Sequence, residues 1–209
     1  MKRYLLLVTT LFTLNSCVYY DPVYTDDLDL VVTNYDTEFD FKSKNTFSIP
    51  DSVVLLKSST FDGSNAFAKP FYGDTIIKEI KKNMIARGWT LVDKSNNPDV
   101  IILPSVTQTT NLDIYYSYDY WGWYYPGYYP GGWAWYYPSW GIPVASSYKT
   151  GSVIIQMTDP SNASNSDHLP VVWISLINGL MEGKAASINY RIKTSIDQAF
   201  TQSPYLSTF

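Results

Sequence analysis

The chain has 209 residues, with 15 basic against 19 acidic side chains and a formal charge of −4 at neutral pH. That balance argues against nucleic acid as a partner, because affinity for a phosphate backbone is carried by excess Lys and Arg. A single cysteine and a single histidine exclude an internal disulfide, Cys-His catalysis and a multi-histidine zinc site.

The N-terminus sets Lys2 and Arg3 before an apolar run, Tyr4 to Leu14, that is too short to span a bilayer. Leu14-Asn15-Ser16-Cys17 follows, and the whole resembles a bacterial lipoprotein signal, although Asn15 departs from its commonest form. Residues 1–16 are therefore expected to be removed and Cys17 to be lipidated, as with palmitate. Each buried methylene is worth about 0.8 kcal/mol, so two or three acyl chains hold a protein where one does not. The remaining 193 residues suit one domain and carry a charge of about −6, since Lys2 and Arg3 are lost. Residues 17–27, polar and without helical period, read as a tether.

The domain is expected over 28–205. Leu28 to Tyr35 and Thr46 to Ile49 read as a pair of strands, and Val53 to Leu56 as a short extension. A helix is predicted from Asp74, as N-cap, to Gly88, with Ile76, Ile77, Ile80 and Met84 on one face and Lys78, Lys81 and Lys82 on the other. Trp89 to Val92 and Val100 to Val106 follow as strands, the latter continuing towards Ile114, with Asn96-Asn97-Pro98 a turn between them. Ser147 to Thr158 and Val171 to Ile177 are further strands. Ile188, Ile192, Ile196 and Phe200 then mark a second amphipathic helix over 187–202, which Pro204 stops. The expected class is α+β: a mainly antiparallel sheet, two amphipathic helices packed on one face, and a long aromatic insert.

Several short runs together are similar to the family of domain of unknown function 4136. They are Asn34-Tyr35-Asp36, Phe39-Asp40-Phe41, Asn45-Thr46-Phe47, Arg87-Gly88-Trp89, Asn97-Pro98-Asp99-Val100, Gly151-Ser152-Val153-Ile154, Asp159, Val172-Trp173 and Gly179, ahead of a helix closing at Pro204. The resemblance covers about Leu28 to Tyr205 and implies a lipoprotein of Gram-negative bacteria, often Bacteroidota, with no established activity. Ile174 departs from it, since many members carry a basic residue after the tryptophan.

Residues 115–140 are more than half Tyr and Trp, broken by Pro126, Pro130, Pro138, Gly127, Gly131 and Gly132. Those breakers forbid one long helix or central strand. Fifteen large aromatics offer on the order of 2,000 Å² of surface, more than a soluble domain leaves in water. Either the rings fold back over the sheet or they form a docking surface. For docking, the candidates are Tyr120, Trp121, Trp123, Tyr124, Tyr125, Trp133, Trp135, Tyr136 and Trp140, which could stack on sugar rings or meet an envelope protein.

Nothing in the sequence marks an enzyme. His168 sits in a Ser/Asn/Asp loop, and Asp99, Asp113, Asp119 and Asp159 lie at strand ends, where aspartates commonly cap and turn. No catalytic set, metal site or cofactor is expected. Ser52 and Thr75, in Asp51-Ser52-Val53 and Asp74-Thr75-Ile76, match a short O-glycosylation pattern. The expected setting is the outer membrane, lipid-anchored and facing the periplasm, with the cell surface as the alternative. The expected task is a structural or binding role in the cell envelope; the alternative is a carbohydrate-binding module.

Overall fold

The computed structural model describes residues 30–57, 67–68, 70–108, 121, 124, 134–136, 151–162, 168–180 and 184–209. In chain order the elements are β1 (Leu30–Tyr35), β2 (Thr46–Ser48), β3 (Val54–Leu56), α1 (Pro70–Ala86), β4 (Thr90–Leu91), β5 (Val100–Thr107), β6 (Ala134–Tyr136), β7 (Val153–Thr158), β8 (His168–Asn178) and α2 (Ala185–Thr201). Short 3₁₀ turns stand at Phe41–Ser43, Lys94–Asn96, Pro160–Asn162 and Pro204–Leu206. The protein is α+β, with a mixed sheet ordered β1-β8-β7-β5-β2-β4. Its three long pairings, β1 with β8, β8 with β7 and β7 with β5, are antiparallel. The short pairings of β2, β3, β4 and β6 are parallel.

Every residue of β5 and β7 is buried, which explains why both read as near-continuous apolar runs instead of alternating ones. Pro104 is an unusual occupant of such a strand, because it has no N–H to give. The Thr107 N–H donates to Ser152 on the β7 side, so by alternation the Pro104 nitrogen faces the opposite edge. There β2 pairs with Val100 and Ile101, and β3 begins only at Ser105. Pro104 thus lies in the gap between two short neighbours and deprives no partner among the described residues.

One set of alternating strand residues, including Ile102, Val106, Ile155, Met157, Trp173 and Ile177, shares a core with Ile76, Ile80 and Met84 of α1 and Ile188, Ile192 and Ile196 of α2. The helices are also joined by polar side chains. Asn83 Nδ2 donates to Asp197 at 2.7 Å, and Lys82 Nζ reaches Glu79 at 2.9 Å and Asp197 at 3.3 Å.

Three expectations need correction. His168, read as a residue of the Ser/Asn/Asp loop, instead opens β8 and pairs with Ala134 of β6. The first helix begins at Pro70, not at an Asp74 cap; proline is well suited to the opening turn, where its missing N–H is not needed. The expected end holds, with Gly88 in the left-handed region at φ 91°. Nor do the first two strands pair: β1 joins β8, and β2 lies between β4 and β5. The polar stretch between them folds into the 3₁₀ turn at Phe41–Ser43, with Asp40 accepting from the Lys42 N–H, so it carries the chain across the sheet rather than back along β1.

Candidate interaction surface

The opposite set of strand residues forms a second face: Ile101, Leu103, Ser105, Ile154, Gln156 and Leu176, each no more than 2 % exposed. Ile174, the departure from the resembled family, stands here opposite Gln156 and is fully buried. A basic side chain at that position would need a partner in an apolar setting. A face so buried is a second interior surface, and two rings of the aromatic insert cover part of it.

Trp121 is 1 % exposed, and its Nε1 donates to Ser105 Oγ at 3.3 Å. Tyr124 follows through a turn in which its N–H donates to the Trp121 carbonyl at 2.9 Å. Its hydroxyl shares a 2.6 Å hydrogen bond with Ser48 Oγ, and Lys94 Nζ stands 4.9 Å from its ring centroid. Burial pushes the Tyr124 phenol above its ordinary pKa; the Ser48 hydrogen bond opposes this, and the charges of Asp93 and Asp51 add to it.

The insert leaves and re-enters the sheet at a hydrogen-bonded stem. Gly151 N–H donates to Thr107 O at 2.7 Å, Thr107 N–H to Ser152 O at 2.9 Å, and Ser152 N–H to Thr107 Oγ1 at 3.1 Å. From that end its described points move across the sheet: Trp121 at Ser105, Tyr124 at Ser48, which pairs with Ile101, and β6 beside His168, Leu169 and Pro170 at the start of β8. These contacts favour the reading in which the insert folds back, as far as Trp121 and Tyr124 are concerned. Trp135 and Tyr136 stand on β6. Tyr120, Trp123, Tyr125, Trp133 and Trp140 lie outside the described residues, as does Cys17.

Thr75 lies within α1, half-buried, its hydroxyl donating to Asn189 Oδ1 at 3.2 Å. Ser52 is half-buried in a bend, its hydroxyl 3.4 Å from Asp51 Oδ1. Asp51 also lines an open cavity of about 340 Å³ with Asp74, Ile77, Lys78 and Lys81. Its two carboxylates and two amines balance, giving no preference for one sign of ion. Among the described residues there is no group of three or more His, Cys, Asp or Glu placed to hold a metal, and no helix long and apolar enough to cross a membrane.

Of the strand-end aspartates, Asp99 and Asp159 have structural roles, while Asp113 and Asp119 lie outside the described residues. Asp99 Oδ2 accepts from Asn45 N–H at 2.9 Å, Thr46 N–H at 2.9 Å and Thr46 Oγ1 at 2.7 Å. Burial pushes its carboxyl pKa up, but those three donors and the charge of Lys44 outweigh burial and hold it below the usual value. Asp159 caps the turn after β7 by accepting from Ser161 N–H at 2.8 Å. The partners Ser48 and Ser105 are not legible in the sequence, since a lone serine in an apolar run carries no signal until the ring above it is known.

Several of the short runs that carried the resemblance bind one another or the C-terminal segment. Asn45-Thr46 meets Asp99, and Ser152 Oγ bonds Asn178 Oδ1 at 2.7 Å and receives the Gly179 N–H at 3.2 Å. Trp89 Nε1 donates to Leu206 O at 2.7 Å, and Trp173 Nε1 to Ser203 Oγ at 2.9 Å. Residues 31–205 match the family described as Domain of unknown function (DUF4136). A crystal structure of a DUF4136 family protein from Bacteroides thetaiotaomicron is 30% identical, covers 87% of this chain and 98% of its own, and superposes with a TM-score of 0.65. The PelC dodecamer from Paraburkholderia phytofirmans is 11% identical over 84% of this chain and 97% of its own, with a TM-score of 0.40. No curated protein matches the sequence.

Proposed function

The chain belongs to the DUF4136 family, and on that premise we propose that it is a lipid-anchored lipoprotein of the cell envelope with a structural or binding role. The anchor is Cys17, following Leu14-Asn15-Ser16 and the short apolar run. The setting is the outer membrane, facing the periplasm, and the partner is an envelope protein or glycan met by the insert.

The observation that carries the binding role is the division of labour within the insert. Trp121 and Tyr124 are spent on the second sheet face, which fastens the insert to the sheet at these two residues. Two of the nine candidate binding rings are therefore buried in the fold, and the carbohydrate reading rests on the other seven.

Membrane fractionation tests the anchor. The native chain is expected in the outer-membrane fraction with acyl mass on its N-terminal cysteine, and Cys17→Ala in the soluble fraction; an unchanged distribution would overturn the proposal. Tryptophan emission during titration with envelope glycans tests the ligand class. A saturable shift supports the glycan, whereas no shift leaves protein docking as the reading to pursue.

A further inference from the structure

Several strand termini share one end of the sheet. Leu30, the first residue of β1, pairs with Asn178, the last of β8. Val153, which opens β7, pairs with Ile177 and with Val106, and Leu56, which closes β3, pairs with Thr107. α2 is fastened to the same end, Arg191 donating to Gly179 O at 3.0 Å. The opposite end holds Pro170 of β8, Asp159 and the Asp99 clamp. From Asn178 to Pro170 the sheet is about 27 Å long at about 3.4 Å per residue.

Resting on the lipid-anchor reading, we infer that the Leu30–Asn178 end of the domain is its bilayer-facing surface, and that its partner is the phosphate layer of the membrane holding Cys17. Twelve residues lie between Cys17 and Leu30, and the thirteen Cα-to-Cα steps reach at most about 45 Å whatever their conformation. The Leu30 end lies at the start of that reach. Bringing the Asp99 end to the membrane instead would use more than half of it to run back along the sheet.

The exposed side chains fit this orientation. Leu30 is 54% exposed, an apolar group able to enter the boundary between headgroups and acyl chains. Lys57, next after β3, and Lys184, just before α2, are exposed at the same end and can place their amines among lipid phosphates. Lys42 and Lys44 belong to the turn that follows β1 at the opposite end, and they face the aqueous side.

A pulse of amine acetylation, read lysine by lysine by mass spectrometry, tests the inference. The acylated full-length protein in phosphatidylethanolamine and phosphatidylglycerol vesicles is compared with Cys17→Ser protein mixed with the same vesicles. Labelling of Lys57 and Lys184 is expected to slow about fivefold in the acylated sample while Lys42 and Lys44 keep their rates. Equal rates at all four lysines, or slowing at Lys42 and Lys44, would overturn it. Protein with no acyl mass on Cys17 that fails to float with the vesicles overturns the anchor reading itself, and is told apart from a wrong orientation by that mass and flotation.

Discussion

Thr46 and Asp99 bind each other in both directions: the Thr46 hydroxyl donates to Asp99 Oδ2 at 2.7 Å and accepts from the Asp99 N–H at 2.9 Å. The pair joins the first residue of β2 to the residue before β5, and so fixes where two parallel strands begin. Asp99→Ala should cost about 1.5–3 kcal/mol, the range for hydrogen bonds to a charged group. Because the carboxyl pKa is lowered on folding, its contribution is present above the unfolded value of about 3.9 and is lost as pH falls through the folded value. Urea unfolding at pH 7 and pH 3 checks this; Asp99→Ala should narrow the difference between the two, and an unchanged difference would refute it.

Trp121→Ala separates a ring that belongs to the core from one that waits for a ligand. A buried tryptophan replaced by alanine costs about 3–5 kcal/mol, which lowers the melting temperature of a domain this size by on the order of 10 °C. A melting temperature within 2 °C of the native value, roughly the shift from under 1 kcal/mol, would show that Trp121 does not cover the sheet.

The hydroxyl pair of Tyr124 and Ser48 gives a sharper test of the same surface. Tyr124→Phe should cost about 1–3 kcal/mol, because it leaves a buried Ser48 hydroxyl unpaired. Adding Ser48→Ala should recover part of that loss, since neighbours that share a bond are not additive. Strict additivity in a double-mutant cycle is the contrary result. The phenol pKa, raised on folding, contributes stability that is present below about 10 and lost as pH rises through the folded value. The native protein should therefore lose more stability than Tyr124→Phe in alkaline titration.

Ser175 Oγ is buried and has no hydrogen-bond partner among the described residues. Its desolvation is uncompensated, so Ser175→Ala should be neutral or stabilising by up to about 1 kcal/mol, unlike most substitutions in a core. A loss of more than about 1 kcal/mol in chemical denaturation would reveal a partner.

Gly88 is required twice over. Its φ of 91° disfavours any side chain, and a Cβ there would stand 2.9 Å from Phe209 Cδ1 in the C-terminal segment. That segment is tied to the end of α1, Thr208 N–H donating to Arg87 O at 3.0 Å. Gly88→Ala should cost about 1–3 kcal/mol and raise amide exchange at Thr208; an unaltered exchange rate would count against the strap.

What could be read from the sequence followed from periodicity. Ile76, Ile80 and Met84, and Ile188, Ile192 and Ile196, repeat at helical spacing and are buried as that spacing requires. Sheet order was not legible in the same way. Nothing local in Leu30 to Tyr35 says that its partner lies some 140 residues further on, because strand pairing is decided by long-range packing rather than propensity. Asp99 was legible as a strand-end cap but not as a clamp, for its three donors come from Asn45 and Thr46. In the insert, the abundance of rings was plain. That Trp121 would be spent on the sheet depended on Ser105, whose face is set only by the register of β5 with β7.

The position of β1 has a mechanical meaning. It is an edge strand whose first residue, Leu30, lies at the end where the chain arrives from Cys17, and six residue pairs join it to β8. Hydrogen bonds between antiparallel strands run perpendicular to the strand axis. A pull on Leu30 along that axis loads the bonds of the β1–β8 ladder together, in shear, whereas a pull across the sheet would break them one after another. A domain held by its N-terminus while something tugs at its far end is thus tethered in its stronger direction.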